Sequence, residues 1–222
     1  MSFEAPRMSF SKPRSLADRL KASDDDKSHS DSFHYVDLFL RSPRAGELVH
    51  HGVFPSTKDL IESMAVLEHF KRAFRSVLRP GIDILVVGDG DTPRTSSLFA
   101  VAFPETSVIS VDPALNDEWI TDHPLPFCNL TLCKEHVENM KLRATEVLIV
   151  LVHAHCALHD ALSRFRRECI HGIIVIPCCD WYAKQAEAFG LPPTLEKRDS
   201  NICSKDNLVR TWSFRTESPD IC

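Results

Sequence analysis

Three short segments of the chain are almost entirely apolar, and they constrain the fold more than any other feature. They cover residues 82–87, 147–152 and 172–176, and each lies between glycine, proline or polar residues. Apolar runs of this length are typical of strands that are buried on both faces. Helical patterns separate them along the chain. The sequence therefore predicts an α/β fold, in which a doubly wound, mostly parallel sheet has helices on both faces.

The weaker patterns complete this prediction. Further strands are expected at Ser107–Val111 and Phe127–Cys133, and an antiparallel final strand at Leu208–Phe214. One helix is expected to begin at Pro93, with Thr92 as its N-cap. The other expected helices are Lys58–Leu78, Ala157–Glu168 and Trp181–Phe189.

Composition divides the chain into three predicted parts. Residues 1–32 are rich in Ser, Asp and Lys and are expected to be a disordered tail. Residues 33–80 are expected to form a helical N-terminal cover, and residues 81–222 the domain that contains the sheet. At 25.1 kDa we expect a monomer.

Charge and cysteine usage limit the partners and the compartment. A net charge of −5 provides no global basic field for nucleic acid, although a local patch at Arg164, Arg166 and Arg167 leaves RNA possible. Eight cysteines without a hydrophobic leader indicate reduced thiols in the cytoplasm or nucleus. Basic residues among the first twenty leave a mitochondrial transit peptide open. No apolar run approaches the ~18 residues of a membrane span, so no membrane association is expected.

Glycine is scarce, and two glycines stand together after the first apolar run. The chain has 7 glycines where average usage gives roughly sixteen. Gly88 and Gly90 fall in the loop between the predicted first strand and the next helix, where glycine allows a sharp turn and a close approach to a ligand. Asp112 ends the second predicted strand, where a carboxylate can accept the hydroxyl groups of a ribose. This combination predicts a nucleoside-binding crevice.

The loop itself discriminates between nucleoside cofactors. A dinucleotide site prefers G-x-G-x-x-G, but the sixth position here is Pro93, and Asp89 and Asp91 would repel a pyrophosphate. Acidic residues suit a ligand with a positive amine or sulfonium centre. The sequence therefore favours S-adenosylmethionine over NAD.

Histidines and cysteines follow the fourth and fifth predicted strands, in the segments His153–Cys156 and Pro177–Cys179. Because neighbouring parallel strands end at the same edge of a sheet, both loops are expected to open on the same crevice. A polar pocket wall, a zinc site and a Cys/His nucleophilic pair are all compatible with these residue types. The chain lacks C-x2-C pairs, vicinal cysteines chelate poorly, and no orienting acid is identifiable, so the polar wall is favoured and no metal is expected.

These segments also resemble a known family. Residues 147–162, with His153-Ala154-His155-Cys156 and Asp160-Ala161-Leu162, followed by 172–179 with Pro177-Cys178-Cys179, resemble a Rossmann-like methyltransferase family that includes tRNA ribose methyltransferases. Gly88-Asp89-Gly90 and Asp112 are similar to the cofactor motifs of class I methyltransferases, although Thr92 stands at the third glycine position. The resemblance implies a Rossmann-like methyltransferase fold and an S-adenosylmethionine-dependent methyltransferase acting on RNA, protein or a small molecule. A non-catalytic binding module with this fold is the alternative, and an NAD-dependent oxidoreductase is the second alternative.

The expected roles follow from this crevice. Gly88, Asp89 and Gly90 are assigned to the methionine portion, with Asp91 and Thr92 in the same loop, and Asp112 to the ribose. Cys133 and Lys134 are placed near the adenine. His153 and His155 are placed on the acceptor side, where one of them can act as general base. The expected substrate-pocket residues are Cys156, Pro177, Cys178 and Cys179.

Overall fold

The computed structural model describes residues 33–121, 125–141, 145–205 and 207–214. Within these ranges seven strands form one sheet. They are β1 (Asp83–Val87), β2 (Val108–Val111), β3 (Leu130–Cys133), β4 (Val147–Val152), β5 (Ile170–Ile176), β6 (Leu195–Arg198) and β7 (Leu208–Ser213). The predicted tail at residues 1–32 lies outside the described residues.

The strand order is β3-β2-β1-β4-β5-β7-β6. Strands β1 to β5 pair in parallel, whereas β7 is antiparallel to β5 and β6 is antiparallel to β7. The expected fold class, including its antiparallel C-terminal strand, is confirmed. The chain builds outward from β1 in one direction and then from β4 in the other, so the strand order reverses between β1 and β4. Ligands bind at such a reversal, outside the carboxyl ends of the strands.

Helices cover both faces of the sheet. They are α1 (His34–Leu40), α2 (Ala45–His50), α3 (Thr57–Phe74), α4 (Arg94–Ala102), α5 (Glu118–Thr121) and α6 (Leu158–Leu162). Alternate strand residues divide between two apolar cores: Ile84 and Val86 pack with α1 to α4 on one face, and Leu85 and Val87 pack with α6 on the other. Strands buried on both sides explain the continuous apolar runs in the sequence.

Helix α3 lies against the sheet. It begins after Ser56, whose hydroxyl accepts a hydrogen bond from the Asp59 amide at 3.3 Å. Near its other end, Phe74 packs so closely on β5 that a β-carbon at Gly172 would lie 2.2 Å from the ring. The expected helix at Lys58–Leu78 is therefore present but ends four residues early. Its packing places α3 in the same core as the sheet; a separate cover at 33–80 stays a prediction.

Two predicted helices are wrong in extent. In place of Ala157–Glu168 the chain forms only α6, followed by a 3₁₀ turn at Arg167–Cys169. In place of Trp181–Phe189 it forms two 3₁₀ turns, Cys179–Trp181 and Ala183–Gln185. There the buried Arg210 guanidinium donates to the carbonyl oxygens of Tyr182 and Gln185, at 2.8 and 2.9 Å, and so takes acceptors that a continuous helix would use.

The strands at the sheet edges also differ from expectation. Strand β3 begins at Leu130 rather than Phe127, and β6 was not predicted because its Leu-Glu-Lys-Arg sequence has only one apolar residue. All four β6 residues are exposed, as suits a charged edge strand. Among the described residues no helix is long and apolar enough to cross a membrane.

Candidate functional site

A cavity of about 570 Å³ opens at the carboxyl ends of β1, β2 and β4, where the strand order reverses. Four loops that follow strands supply most of its lining. The lining residues are Val87, Gly88, Gly90, Arg94, Val111, Asp112, Pro113, Ala114, His136, Val137, Glu138, His153, His155, Cys156, Asp160 and Trp181. The volume lies within the range of small-molecule sites, about 300–1,000 Å³.

Both glycines of the first loop adopt backbone conformations that other residues rarely adopt, with φ of 75° at Gly88 and 86° at Gly90. A β-carbon at Gly88 would lie 2.4 Å from the Ala154 Cβ, so the loops after β1 and β4 touch through their backbones. A β-carbon at Gly90 would lie 3.0 Å from the Arg94 guanidinium. The expected need for glycine at both positions is confirmed.

Asp89 does not face the cavity, contrary to expectation. Its carboxylate is buried and accepts hydrogen bonds from the amides of Thr95 and Ser96, at 2.8 and 3.0 Å, and from the Ser96 hydroxyl at 2.6 Å. Burial raises the pKa of Asp89, and these hydrogen bonds only partly oppose that effect. Asp89 therefore caps helix α4 from a position four residues before its N-cap residue, Pro93.

This contact also explains why the predicted cap at Thr92 is wrong. Pro93 is the N-cap residue of α4, no side-chain cap bond is made from that position, and Asp89 supplies the bonds instead. The Thr92 hydroxyl oxygen is buried and has no hydrogen-bond partner among the described residues. Asp91 is exposed, and neither Asp91 nor Thr92 lines the cavity.

Asp112 lines the cavity at the end of β2, as expected. Its Oδ2 accepts from the Gly90 amide and its Oδ1 from the Ala114 amide, both at 2.7 Å. Only 8% of the residue is exposed. Each carboxylate oxygen retains a lone pair after these bonds, so the group can accept further hydrogen bonds from a ligand.

The loop after β3 contributes different residues from those expected. Cys133 and Lys134 lie outside the cavity lining, and the Lys134 ammonium is 2.8 Å from Asp117. The residues that reach the cavity are His136, Val137 and Glu138, in and just before a 3₁₀ turn. The expectation placed the contact three to four residues too early, because sequence alone does not show how far the chain runs past a strand before it turns.

Arg94 is a lining residue that the sequence did not indicate. Its guanidinium lies beside Gly90 and 3.0 Å from the carboxylate of Asp59, which α3 supplies. A lone arginine in the first turn of a helix resembles an ordinary surface residue in sequence. Its proximity to the glycine loop is visible only once α3 and α4 are packed.

His153 has a strained backbone, with φ of 50°. Its amide donates to the Ile176 carbonyl at 2.9 Å, which ties β4 to β5 beyond their last pair. Its Nε2 lies 3.1 Å from Oε1 of the buried Glu62, although neither atom makes a directed hydrogen bond among the described residues. Burial alone would raise the pKa of Glu62, but His153 and Lys58 outweigh it and leave the pKa below its usual value.

Glu62 was also missed by sequence reasoning. It lies on α3 four residues after Lys58, and this spacing looks like an exposed ion pair on a solvated helix face. In the structure only 4% of Glu62 is exposed, and its carboxylate faces the loop after β4. Helix α3 therefore places two carboxylates, those of Asp59 and Glu62, against the lining residues Arg94 and His153.

Cys156 lines the cavity but is a poor nucleophile. Burial raises the pKa of its thiol to about 12, and the carboxylates of Asp160, Glu138 and Asp112 act in the same direction. His155 is exposed at the cavity. Among the described residues, no three His, Cys, Asp or Glu side chains are arranged to hold a metal ion.

The segment after β5 reaches the cavity at Trp181 rather than at its first residues. Pro177 and Cys178 are buried outside its lining, contrary to the expected substrate-pocket role, and the side chain of Cys179 lies outside what the structure describes. The buried amide of Gln185 donates to the carbonyls of Ala154 and Cys156, at 2.9 and 2.8 Å, and accepts from the Cys178 amide at 3.3 Å. Gln185 therefore holds the two loops side by side, but Pro177 and Cys178 do not open on the cavity as expected.

Known methyltransferase structures resemble this chain weakly, whereas no family model and no curated protein matches its sequence. Among solved structures, an rRNA methylase from Escherichia coli is similar at 15% identity and a TM-score of 0.44, over 88% of this chain and 81% of that one. The 1,6-didemethyltoxoflavin-N1-methyltransferase of Burkholderia thailandensis, with bound S-adenosylhomocysteine, is similar at 13% identity and a TM-score of 0.42, over 91% of this chain and 92% of that one.

Proposed function

We propose that the cavity binds S-adenosylmethionine and that the chain is an S-adenosylmethionine-dependent methyltransferase. The observation that carries this proposal is the Asp112 carboxylate, which lines the cavity at the end of β2 beside the Gly88–Gly90 loop. A carboxylate at this place can accept both hydroxyl groups of a ribose. The cavity therefore has the main polar contact that a nucleoside cofactor requires.

The rest of the lining suits the other parts of this cofactor. The Arg94 guanidinium lies beside Gly90, and its several N–H donors can bind the methionine carboxylate in a bidentate manner. The side chains of Val87 and Val111 offer apolar surface on the floor, and Val137 does so in the loop after β3, where an adenine ring can pack. When bound, the cofactor supplies a methyl group on a positively charged sulfur.

The helix that follows the glycine loop argues against NAD. A dinucleotide places its pyrophosphate on the free amides of this helix N-terminus. Here the Asp89 carboxylate accepts from the amides of Thr95 and Ser96. A pyrophosphate would have to displace a buried group that is bonded to the same donors, so the oxidoreductase alternative is disfavoured.

His153 and His155 are the residues that we propose to assist methyl transfer. Both line the cavity, and a histidine is suited to accept a proton from an acceptor near neutral pH. The protein otherwise acts by holding cofactor and acceptor in line, because methyl transfer is a direct displacement. We propose the cytoplasm or nucleus as the compartment and a monomer as the functional unit.

Calorimetry with S-adenosylmethionine, S-adenosylhomocysteine and NAD tests the cofactor. Asp112→Ala is expected to weaken binding of the sulfur compounds by more than about tenfold, since it removes hydrogen bonds to a charged group. Asp117→Ala is the matched control, because this aspartate is 71% exposed and outside the cavity lining. The absence of binding by either sulfur compound at millimolar concentration would refute the proposal.

A non-catalytic binding module with the same fold makes the same binding prediction. The two differ in turnover, which is measured as transfer of a labelled methyl group to pools of RNA, protein and small molecules. Binding without any transfer would favour the module.

A further inference from the structure

Charge is distributed unequally around the cavity. Three carboxylates line it, from Asp112, Glu138 and Asp160. Among the described lining residues the only Lys or Arg is Arg94, whose guanidinium is 3.0 Å from the carboxylate of Asp59. The cavity is therefore acidic, and the charge of its guanidinium is partly balanced by Asp59.

The carboxylates of Asp112, Glu138 and Asp160 all affect the same group, the thiol of Cys156. Cys156 lies between the loop after β4 and helix α6, and burial together with the charges of Asp160, Glu138 and Asp112 raises the pKa of its thiol to about 12. Three separate chain segments supply these groups, so their fields add at the cavity wall. Outside the lining, Oε1 of the buried Glu62 lies 3.1 Å from Nε2 of the lining residue His153.

The arginines at positions 164, 166 and 167 lie outside the cavity lining, and each has a local partner. The Arg164 Nε donates to the Glu138 carbonyl, Arg166 lies 3.6 Å from Glu168, and the Arg167 guanidinium lies over the Phe214 ring. Non-specific RNA binding requires several cations that are free to meet phosphates. The basic patch of Arg164, Arg166 and Arg167 is therefore a set of locally paired side chains rather than a group of free cations.

One further cation approaches the cavity from outside the lining. The Lys184 ammonium lies 4.3 Å from the centre of the Trp181 ring, and Trp181 lines the cavity. A single exposed lysine in a cation–π contact does not make the net charge around the cavity positive, because three carboxylates line it.

We propose that the methyl acceptor is a cationic primary amine, which the carboxylates of Glu138 and Asp160 attract to the cavity. This inference rests on the proposed function, because Asp112 is there assigned to the cofactor ribose and the other two carboxylates remain for the acceptor. An acidic wall raises the local concentration of cations and repels a phosphodiester chain. The acceptor class is thus an amine, on a lysine side chain or a small polyamine, and not RNA.

The chemistry balances for such an acceptor. The ammonium group first loses a proton to an imidazole of His153 or His155, or to water, and becomes a neutral amine. The nitrogen lone pair then forms a bond to the methyl carbon, while the electron pair of the carbon–sulfur bond goes to sulfur. The product is a methylated ammonium ion, and S-adenosylhomocysteine leaves as a neutral thioether at its sulfur.

Binding of charged probes tests this inference apart from turnover. Decalysine and decauridylate have equal length and opposite charge, and their affinity is measured by calorimetry with and without S-adenosylhomocysteine. The double variant Glu138→Gln, Asp160→Asn is expected to weaken decalysine binding by at least about tenfold, since it removes two nearby charges. The control Glu105→Gln, Glu168→Gln removes equal charge from exposed positions outside the cavity and is expected to change binding by less than about twofold.

Labelled methyl transfer to decalysine and to 1,5-diaminopentane then separates a side-chain acceptor from a small amine. Tighter binding of decauridylate than of decalysine, equal loss in the double variant and its control, or methyl transfer to RNA alone would overturn the inference. Failure of the proposed function is a separate result, namely no binding of S-adenosylhomocysteine to the unmodified protein. Circular dichroism and thermal unfolding of each variant establish that it is folded.

Discussion

Gly88 at the end of β1 and Ala154 after β4 are in such close contact that a β-carbon on Gly88 would lie 2.4 Å from the Ala154 Cβ. The contact joins the two strands between which the strand order reverses. It therefore sets the separation of the loops that flank the cavity. Hydrogen bonds from Gln185 to the carbonyls of Ala154 and Cys156 hold the second loop in place from the other side.

Gly88→Ala is predicted to destabilise the fold by about 3 kcal/mol, from left-handed backbone strain and steric overlap together. Gly52→Ala separates these two effects, because Gly52 has a similar φ of 66° but no atom within 4 Å of its added β-carbon. That variant is expected to lose only about 1 kcal/mol. Urea denaturation measures both, and equal losses would show that the contact with Ala154 contributes nothing.

Asp89→Ala is predicted to lower the free energy of unfolding by about 2–3 kcal/mol, because it leaves the amides of Thr95 and Ser96 buried without acceptors. Asp91→Ala, at an exposed position two residues away, is expected to change stability by less than about 0.5 kcal/mol. Denaturation curves give the free energy of unfolding of both variants, one lacking the capping carboxylate and the other lacking an exposed loop carboxylate. A larger loss for Asp91 would refute the capping role of Asp89.

The sheet was the most predictable part of this fold. Runs such as 147–152 and 172–176 are apolar throughout because both faces of their strands are buried, and this physical cause is visible in a single sequence. Strand β6 was not predictable, because an exposed edge strand carries no such pattern. The helix expected at Trp181–Phe189 was not predictable in extent, because Arg210, which is distant in sequence, takes the carbonyl oxygens of Tyr182 and Gln185.

The site was predictable where it depends on strand ends and unpredictable where it depends on packing. Asp112 and the positive φ of Gly88 and Gly90 follow from their places after strands. Asp89 was placed wrongly, because the sequence shows a carboxylate in a loop but not the direction of its side chain. Glu62 meets the lining residue His153 only through the packing of α3 on the sheet.

Asp199 links the N-terminal helices to the loop between β6 and β7. The Tyr35 hydroxyl donates to its Oδ2, and the His69 Nε2 lies 2.7 Å from the same oxygen, all in a buried setting. Burial alone would raise the pKa of Asp199, but its contacts with His69 and Tyr35 outweigh it and hold the pKa well below the usual value. The folded state therefore favours the ionised carboxylate.

The free energy of unfolding is predicted to decrease as the pH is lowered, because Asp199 becomes protonated. An unfolded aspartate has a pKa of about 3.9, so the contribution of Asp199 is fully present above that pH and is lost as pH falls through the lower folded pKa. Asp199→Asn is expected to cost roughly 2 kcal/mol at pH 7, and the difference from the unmodified protein is expected to shrink below about pH 4. Urea titrations between pH 2 and pH 7, with the exposed Asp37→Asn as control, measure this, and a pH-independent difference would contradict it.

Cys156 is predicted to resist alkylation although it lines the cavity. Burial and the neighbouring carboxylates of Asp160, Glu138 and Asp112 raise the pKa of its thiol to about 12, so thiolate at pH 8 is scarce. Iodoacetamide at that pH is expected to modify the exposed Cys128 and Cys203 at least about tenfold faster, as followed by mass spectrometry of the peptides. Asp160→Asn removes one of the opposing charges and is expected to speed modification of Cys156 while leaving Cys203 unchanged. Rapid alkylation of Cys156 in the unmodified protein would show that its thiol is neither shielded nor held in an acidic field.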